Sequence, residues 1–363
     1  MLIEDEGFFF LKMPADFPVE DLGAVTEILR DANIFVPGYI PPDVGLYEPI
    51  GFLCAHRADG LGTILLPDRN VASRLAQVIR GEPIGQDRQR RQAAAIMAFA
   101  QCLDIQIEPS IAFHELASSR GNDVALEELA WFRAADDPRP HDWLNVALGR
   151  SDRMNIQISP AEVRSRNLAG PLDRWKKNYI HALKIAEIEL TVTSKLDQVL
   201  TFFKWMYEDF LLGGPAALLA ALYFAPNSPP REGLFKKLRS PKRDNAIDGV
   251  RNAAWDLTYL SNFTVQAKNE SKRYLFASFD AGARHVAAML FESGQDPENP
   301  ETMITGLRQW WPEKQAKLIA QTLLDYYGRK RPPEWFANQA ANPGRIDELI
   351  AMGEQIIRQP LEG

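Results

Sequence analysis

Asp68 and Asp280 are the residues of this chain best placed to do chemistry. Asp68 follows the apolar run LGTILLP and precedes the helical pattern RNVASRLAQVIRG; Asp280 follows KRYLFAS and precedes AGARHVAAMLFE. Each is expected to end a short strand and begin a helix. In an open α/β sheet ligands gather at the carboxyl ends of the strands. Two carboxylates side by side there would suit a hard divalent cation, because Mg²⁺ is commonly held by one or two carboxylates, waters and a substrate phosphate. The competing role is structural, since an Asp directly before a helix is a favoured N-cap that contributes ~1 kcal/mol without any ligand.

Asp256 falls inside a helical pattern, where capping does not apply and Asp is disfavoured. On the wheel its neighbours are Leu260 and Phe263 in one direction, Asn252 and Gly249 in the other. If that sector is buried, the acid must be ion-paired, protonated or bound to a cation. Glu115 stands at the edge of an apolar arc, and Glu127 or Glu128 on the next helix could fill the same role.

The elements that must position these acids follow from periodicity. LGTILLP, bounded by Gly and Pro, predicts a buried strand. Val71, Leu75 and Ile79 at i, i+4, i+8 predict the helix after it, and KRYLFAS predicts a second strand. Weaker signals predict a strand over 7–13, a helix over 20–32, and a loop at FVPGYIPPDVG. From Gly121 to Arg239 nearly everything reads as helix, and PNSPPREG as a linker.

The order and context of the acids resemble the PIN-like nuclease superfamily. The resemblance rests on an Asp ending a strand and followed by x-Asn (Asp68, Asn70), a Glu on a later helix (Glu115), an Asp inside a late helix (Asp256), and strand-Ser-x-Asp-helix (Ser278, Asp280). It implies an α/β, helix-rich fold: a three-layer core with a short, mostly parallel sheet over 61–135 and 241–295. An N-terminal extension over 1–60, a helical insertion over 136–240 and a helical C-terminal region over 296–363 would complete the chain. It further implies Mg²⁺- or Mn²⁺-dependent hydrolysis of a phosphodiester, with RNA favoured over DNA. Asp68, Glu115, Asp256 and Asp280 would hold the metal, while Asn70, Ser278 and Asn252 orient the carboxylates.

Phosphate contacts would come from FKKLRSPKR, through Lys236, Lys237, Arg239, Lys242 and Arg243; a solvated basic loop is the alternative. The net charge of −7 argues against a protein coated in basic surface, so nucleic acid would have to meet a local patch. Two cysteines fit a reducing compartment, and the acidic start MLIEDEGFFF lacks the charge of an export signal, so the expected location is cytoplasmic. The apolar run 210–225, interrupted by Gly213, Gly214 and Pro215, predicts a buried helix and no membrane span. A homo-oligomer and a protein inhibitor remain open as partners. The reading from another class is a non-enzymatic helical interaction protein whose Asp68 and Asp280 only cap helices.

Overall fold

The computed structural model describes residues 4–5, 8–9, 13–40, 45–228, 234–295 and 299–360. The protein is a helix-rich α/β protein with a small mixed four-stranded sheet. The chain divides into two compact units: 1–170 with 265–284, and 171–264 with 285–363.

The first unit holds the sheet. Its strands are β1 (Phe35–Pro37), β2 (Gly62–Pro67), β3 (Gln106–Ile107) and β4 (Lys272–Ala277), in the spatial order β1-β4-β2-β3. β2 runs parallel to both β3 and β4, and β1 lies antiparallel along β4. From Thr63 to Pro67 every residue of β2 is buried, so the strand shows no polar alternation, as expected where a parallel sheet is covered on both faces. Among its described residues this unit carries the α-helices α1 (Val19–Ala32), α2 (Pro49–Arg57), α3 (Arg69–Ile79), α4 (Arg88–Cys102), α5 (Ser110–Arg120), α6 (Asn122–Arg133) and α7 (Pro140–Ala147). The alanine-rich α4 is buried continuously from Gln92 to Ala100 and packs against α1, α3 and α7; small side chains all round the helix permit several close neighbours.

Several sequence expectations change here. Phe35–Pro37, within the segment expected to be loop, forms β1; a three-residue edge strand is too short to show a period, and Pro37 is tolerated at an edge. Residues 148–172, expected to be helical, carry no helix. That stretch is instead tied to α6 by Asn122, which donates to the Arg166 carbonyl and accepts from Leu168 N–H. Within the expected strand over 7–13, Phe8–Phe9 pairs antiparallel with Glu4–Asp5, while residues 7 and 10–12 lie outside the described residues. Residues 1–60, expected as an extension, supply β1 and α1 to the core of this unit.

The second unit is helical: α8 (Asp173–Thr191), α9 (Lys195–Glu208), α10 (Gly214–Tyr223), α11 (Arg243–Gln266, its last two residues in the first unit), α12 (Ala281–Gln295, its first four in the first unit), α13 (Glu301–Leu307), α14 (Glu313–Gly328), α15 (Pro333–Ala341) and α16 (Arg345–Arg358). The apolar run becomes α10, buried from Ala216 onward. Among the described residues no helix is long and apolar enough to cross a membrane. The carboxyl end of α9 leaves carbonyls without helical partners. Arg331, Trp335 and Arg345 donate to the carbonyls of Met206, Glu208 and Asp209.

His181, on α8, is buried in this core with its Nε2 2.8 Å from the Leu211 carbonyl oxygen, so Nε2–H is the donor. Its Nδ1 has no partner, and the ring packs against Phe202, Trp205 and Phe210. Burial pushes the imidazole down to about 4 from its ordinary 6.5. The unfolded chain therefore takes up a proton near pH 6.5 that the folded chain refuses until about 4, and stability is lost as pH falls through that window. The loss should reach about 3 kcal/mol. Denaturant melts of wild type and His181→Gln at pH 7.5 and 4.5 check this; an unchanged pH slope in the variant would rule out His181 as the cause.

Candidate active site

The parallel register of β2 and β4 builds the site. Pro67 pairs with Ala277, and the ladder continues one step further through Asp68 N–H to the Ala277 carbonyl at 2.9 Å. Asp68 and Ser278 are thereby brought opposite each other at the carboxyl ends of neighbouring strands. The Ser278 hydroxyl donates to Asp68 Oδ2 at 2.5 Å and accepts from Asp280 N–H at 2.9 Å. One hydroxyl thus links the two acidic turns. Ser278 itself is completely buried, and its N–H reaches towards the Ile34 carbonyl.

Both aspartates also cap. Asp68 Oδ1 accepts from Val71 N–H at 2.8 Å, and Asp280 Oδ1 accepts from Ala283 N–H at 2.9 Å. The structural role expected for them is real, yet it accounts for one oxygen of each. Asp68 goes beyond it. Buried to 7% exposure, its carboxyl is pushed up to about 6 by desolvation; hydrogen bonds from Ser278 and Val71 oppose the rise and the nearby charge of Asp280 adds to it. Asp280 is exposed, so the pair presents one buried and one open carboxylate.

Two further side chains face this corner. Arg284, on the first turn of α12, donates from Nη1 to the Ser278 carbonyl at 2.7 Å and feels the charges of Asp280 and Asp68. The Tyr47 hydroxyl accepts from Phe35 N–H of β1 at 3.1 Å, and its ring stacks on Phe35. Neither residue belongs to the motif expected from sequence. A cation one turn past the second acid is the available signal for Arg284; Tyr47 has none, because it lies just past the FVPGYIPPDVG loop in a stretch with no readable pattern.

No family model, curated protein or solved structure matches the chain.

The remaining expected residues are placed as follows. Asn70 is exposed, and it is its backbone amide that bears on Asp68. Glu115 is half-buried on α5. Glu128, one of its alternatives, is committed to Arg69 of α3 at 2.7 Å, and Glu127 lies 3.5 Å from Arg80. Asp256 is half-buried on α11, in the part of that helix belonging to the second unit, with Asn252 exposed one turn earlier. Among the described residues no group of three or more His, Cys, Asp and Glu side chains is drawn together for a metal.

The basic loop lies in the second unit, and two of its cations are spent internally. Arg239 reaches the carbonyl and carboxylate of Glu189, while Arg243 binds the carbonyls of Ile357, Leu238 and Ser240. Lys236, Lys237 and Lys242 carry the loop's remaining charge, and all three are exposed.

Proposed function

We propose that the first unit hydrolyses phosphodiesters with a divalent cation held at Asp68 and Asp280, in the manner of a PIN-like nuclease, with RNA as substrate. The observation that supports this reading is the pair of carboxylates at the ends of adjacent parallel strands, one of them buried with its carboxyl pushed up and joined to the other's turn by Ser278.

The donor set fits Mg²⁺ or Mn²⁺. Hard oxygen ligands are what these ions take, two carboxylates suffice when waters and a phosphate oxygen fill the remaining positions, and an ionised Asp68 in a desolvated corner calls for a positive partner. When bound, the ion would lower the pKa of a water and balance charge gathering on the phosphoryl oxygens. This chain's own part is to hold the two carboxylates in place. Val71 N–H and the Ser278 hydroxyl fix the plane of Asp68, and the Ala283 N–H fixes Asp280. In the hydrolysis one P–O bond forms from water and the P–O bond to the leaving sugar oxygen breaks. A proton leaves the water, and the leaving oxygen takes one from solvent.

Cleavage of end-labelled RNA with Mn²⁺ tests the reading. Wild type should cleave, and Asp280→Asn should reduce the rate by a factor on the order of 10² or more while the protein stays folded, because Asp280 is exposed. Cleavage that persists in Asp280→Asn, or that is insensitive to chelation, would overturn the assignment. Asp256→Asn in the same assay is a separate measurement of the acid that the PIN-like motif places on α11.

The second reading, helix capping without catalysis, is favoured by the two cap hydrogen bonds. It predicts no stabilisation by Mn²⁺ above pH 6, where Asp68 is ionised; the first reading predicts a raised melting temperature there.

A further inference from the structure

We propose that Arg284 is the phosphate clamp of this site: its guanidinium holds a non-bridging phosphoryl oxygen beside the cation that Asp68 and Asp280 hold. This rests on the reading of the site given above and adds to it the group that receives the substrate's charge.

The geometry carries the inference in three steps. Arg284 is half-buried on the first turn of α12, four residues past Asp280, where the strand-end turn and the helix meet. Nη1 is anchored by the Ser278 carbonyl, the same residue whose hydroxyl joins the two acidic turns, so the fork is indexed to the carboxylates through one residue. A guanidinium has five N–H donors in a rigid plane, and that single anchor leaves the rest of the fork available.

The second step is what Arg284 does not do. It lies close enough to Asp68 and Asp280 for their charges to act on it, yet its hydrogen bond goes to a neutral carbonyl and not to either acid. An arginine present only to neutralise an acidic pair would form a bidentate bridge to one of them, the strongest arrangement open to it. Held off the carboxylates, it takes up none of their oxygens, Asp280 Oδ2 being the one with no donor among the described residues, and keeps its own donors for an anion.

The third step is electrostatic. Partial burial removes water from the guanidinium, and in such a setting a fixed donor aimed at developing phosphoryl charge acts more strongly than it would in bulk solvent.

Titration calorimetry of inorganic phosphate into the full chain with Mg²⁺ present, for wild type, Arg284→Lys and Arg284→Met, tests the clamp. Wild type should bind phosphate; Arg284→Met should weaken it by about tenfold or more, and Arg284→Lys should fall between, keeping a point charge without the fork. If Arg284→Met unfolds through loss of its bond to the Ser278 carbonyl, Arg284→Lys, which can keep that bond, decides. Equal affinity in the folded variants, or no phosphate binding by wild type, overturns the clamp. Arg284-dependent phosphate binding without RNA cleavage by wild type would instead sink the nuclease reading and leave the clamp standing.

Discussion

Replacing Asp68 by asparagine should abolish Mn²⁺-dependent cleavage, by a factor on the order of 10³, and at the same time raise the thermal stability of the metal-free protein at neutral pH. The two effects have one origin. Asp68 ionises ordinarily at 3.8 and in the folded chain at about 6, so between those values the folded protein keeps a proton that the unfolded chain has lost. Stability therefore falls as pH rises from about 4 to about 6 and stays low above it, at a cost of about 3 kcal/mol. Asparagine carries no charge to desolvate, and its amide oxygen can still accept from Val71 N–H. Melting curves at pH 4 and pH 7.5 should show the variant gaining only at the higher pH. A variant destabilised equally at both would mean that Asp68 is a cap and nothing more. Divalent cation should restore the wild type at pH 7.5 and leave the variant unmoved.

Gly249→Ala should be the most damaging of the glycine-to-alanine changes among the described residues of the second unit. A Cβ at this position of α11 would lie 1.9 Å from the Lys236 carbonyl oxygen and 3.0 Å or less from the carbon and nitrogen of the same residue. All three are backbone atoms, so no rotamer change relieves the overlap, and the loop carrying Lys236 and Lys237 must move. Alanine gains up to ~1 kcal/mol in helix propensity, but overpacking of this severity costs about 3 kcal/mol or more, so the clash wins. Gly23→Ala on α1 is the control: nothing lies within 4 Å of its added Cβ, and it should stabilise by ~0.5–1 kcal/mol. Chemical denaturation of both variants checks the pair; a neutral Gly249→Ala would mean that the loop does not rest on α11.

The acidic corner was legible because both of its strands announce themselves. LGTILLP is apolar throughout and closed by Gly and Pro, and KRYLFAS ends in the serine that the ladder sets opposite Asp68. Helical spacing and cap residues fixed α3 closely. What sequence could not supply was anything resting on a short or irregular segment. β1 is three residues long and pairs through backbone groups alone, so no periodicity marks it, and Tyr47, which depends on β1, went unseen with it. Residues 148–172 contain apolar side chains that pack on the core, which mimics helical patterning, yet Pro160, Gly149 and Gly170 interrupt any run long enough to nucleate. Pairing between distant charges was invisible in the same way. Arg69 and Glu128 are 59 positions apart, and their ion pair withdraws one candidate acid from the site.

The hydrogen bond between Asp68 and Ser278 joins positions 210 residues apart. During synthesis a ribosome adding about 5–20 residues per second needs on the order of ten to forty seconds to cover that distance. For all of that interval β2 has no β4 beside it, Asp68 has no hydroxyl partner, and the carboxylate pair does not exist. The long excursion through the helical unit therefore acts as a delay line: the emerging chain carries each half of its acidic corner but cannot join them until the strand that closes the sheet has been made.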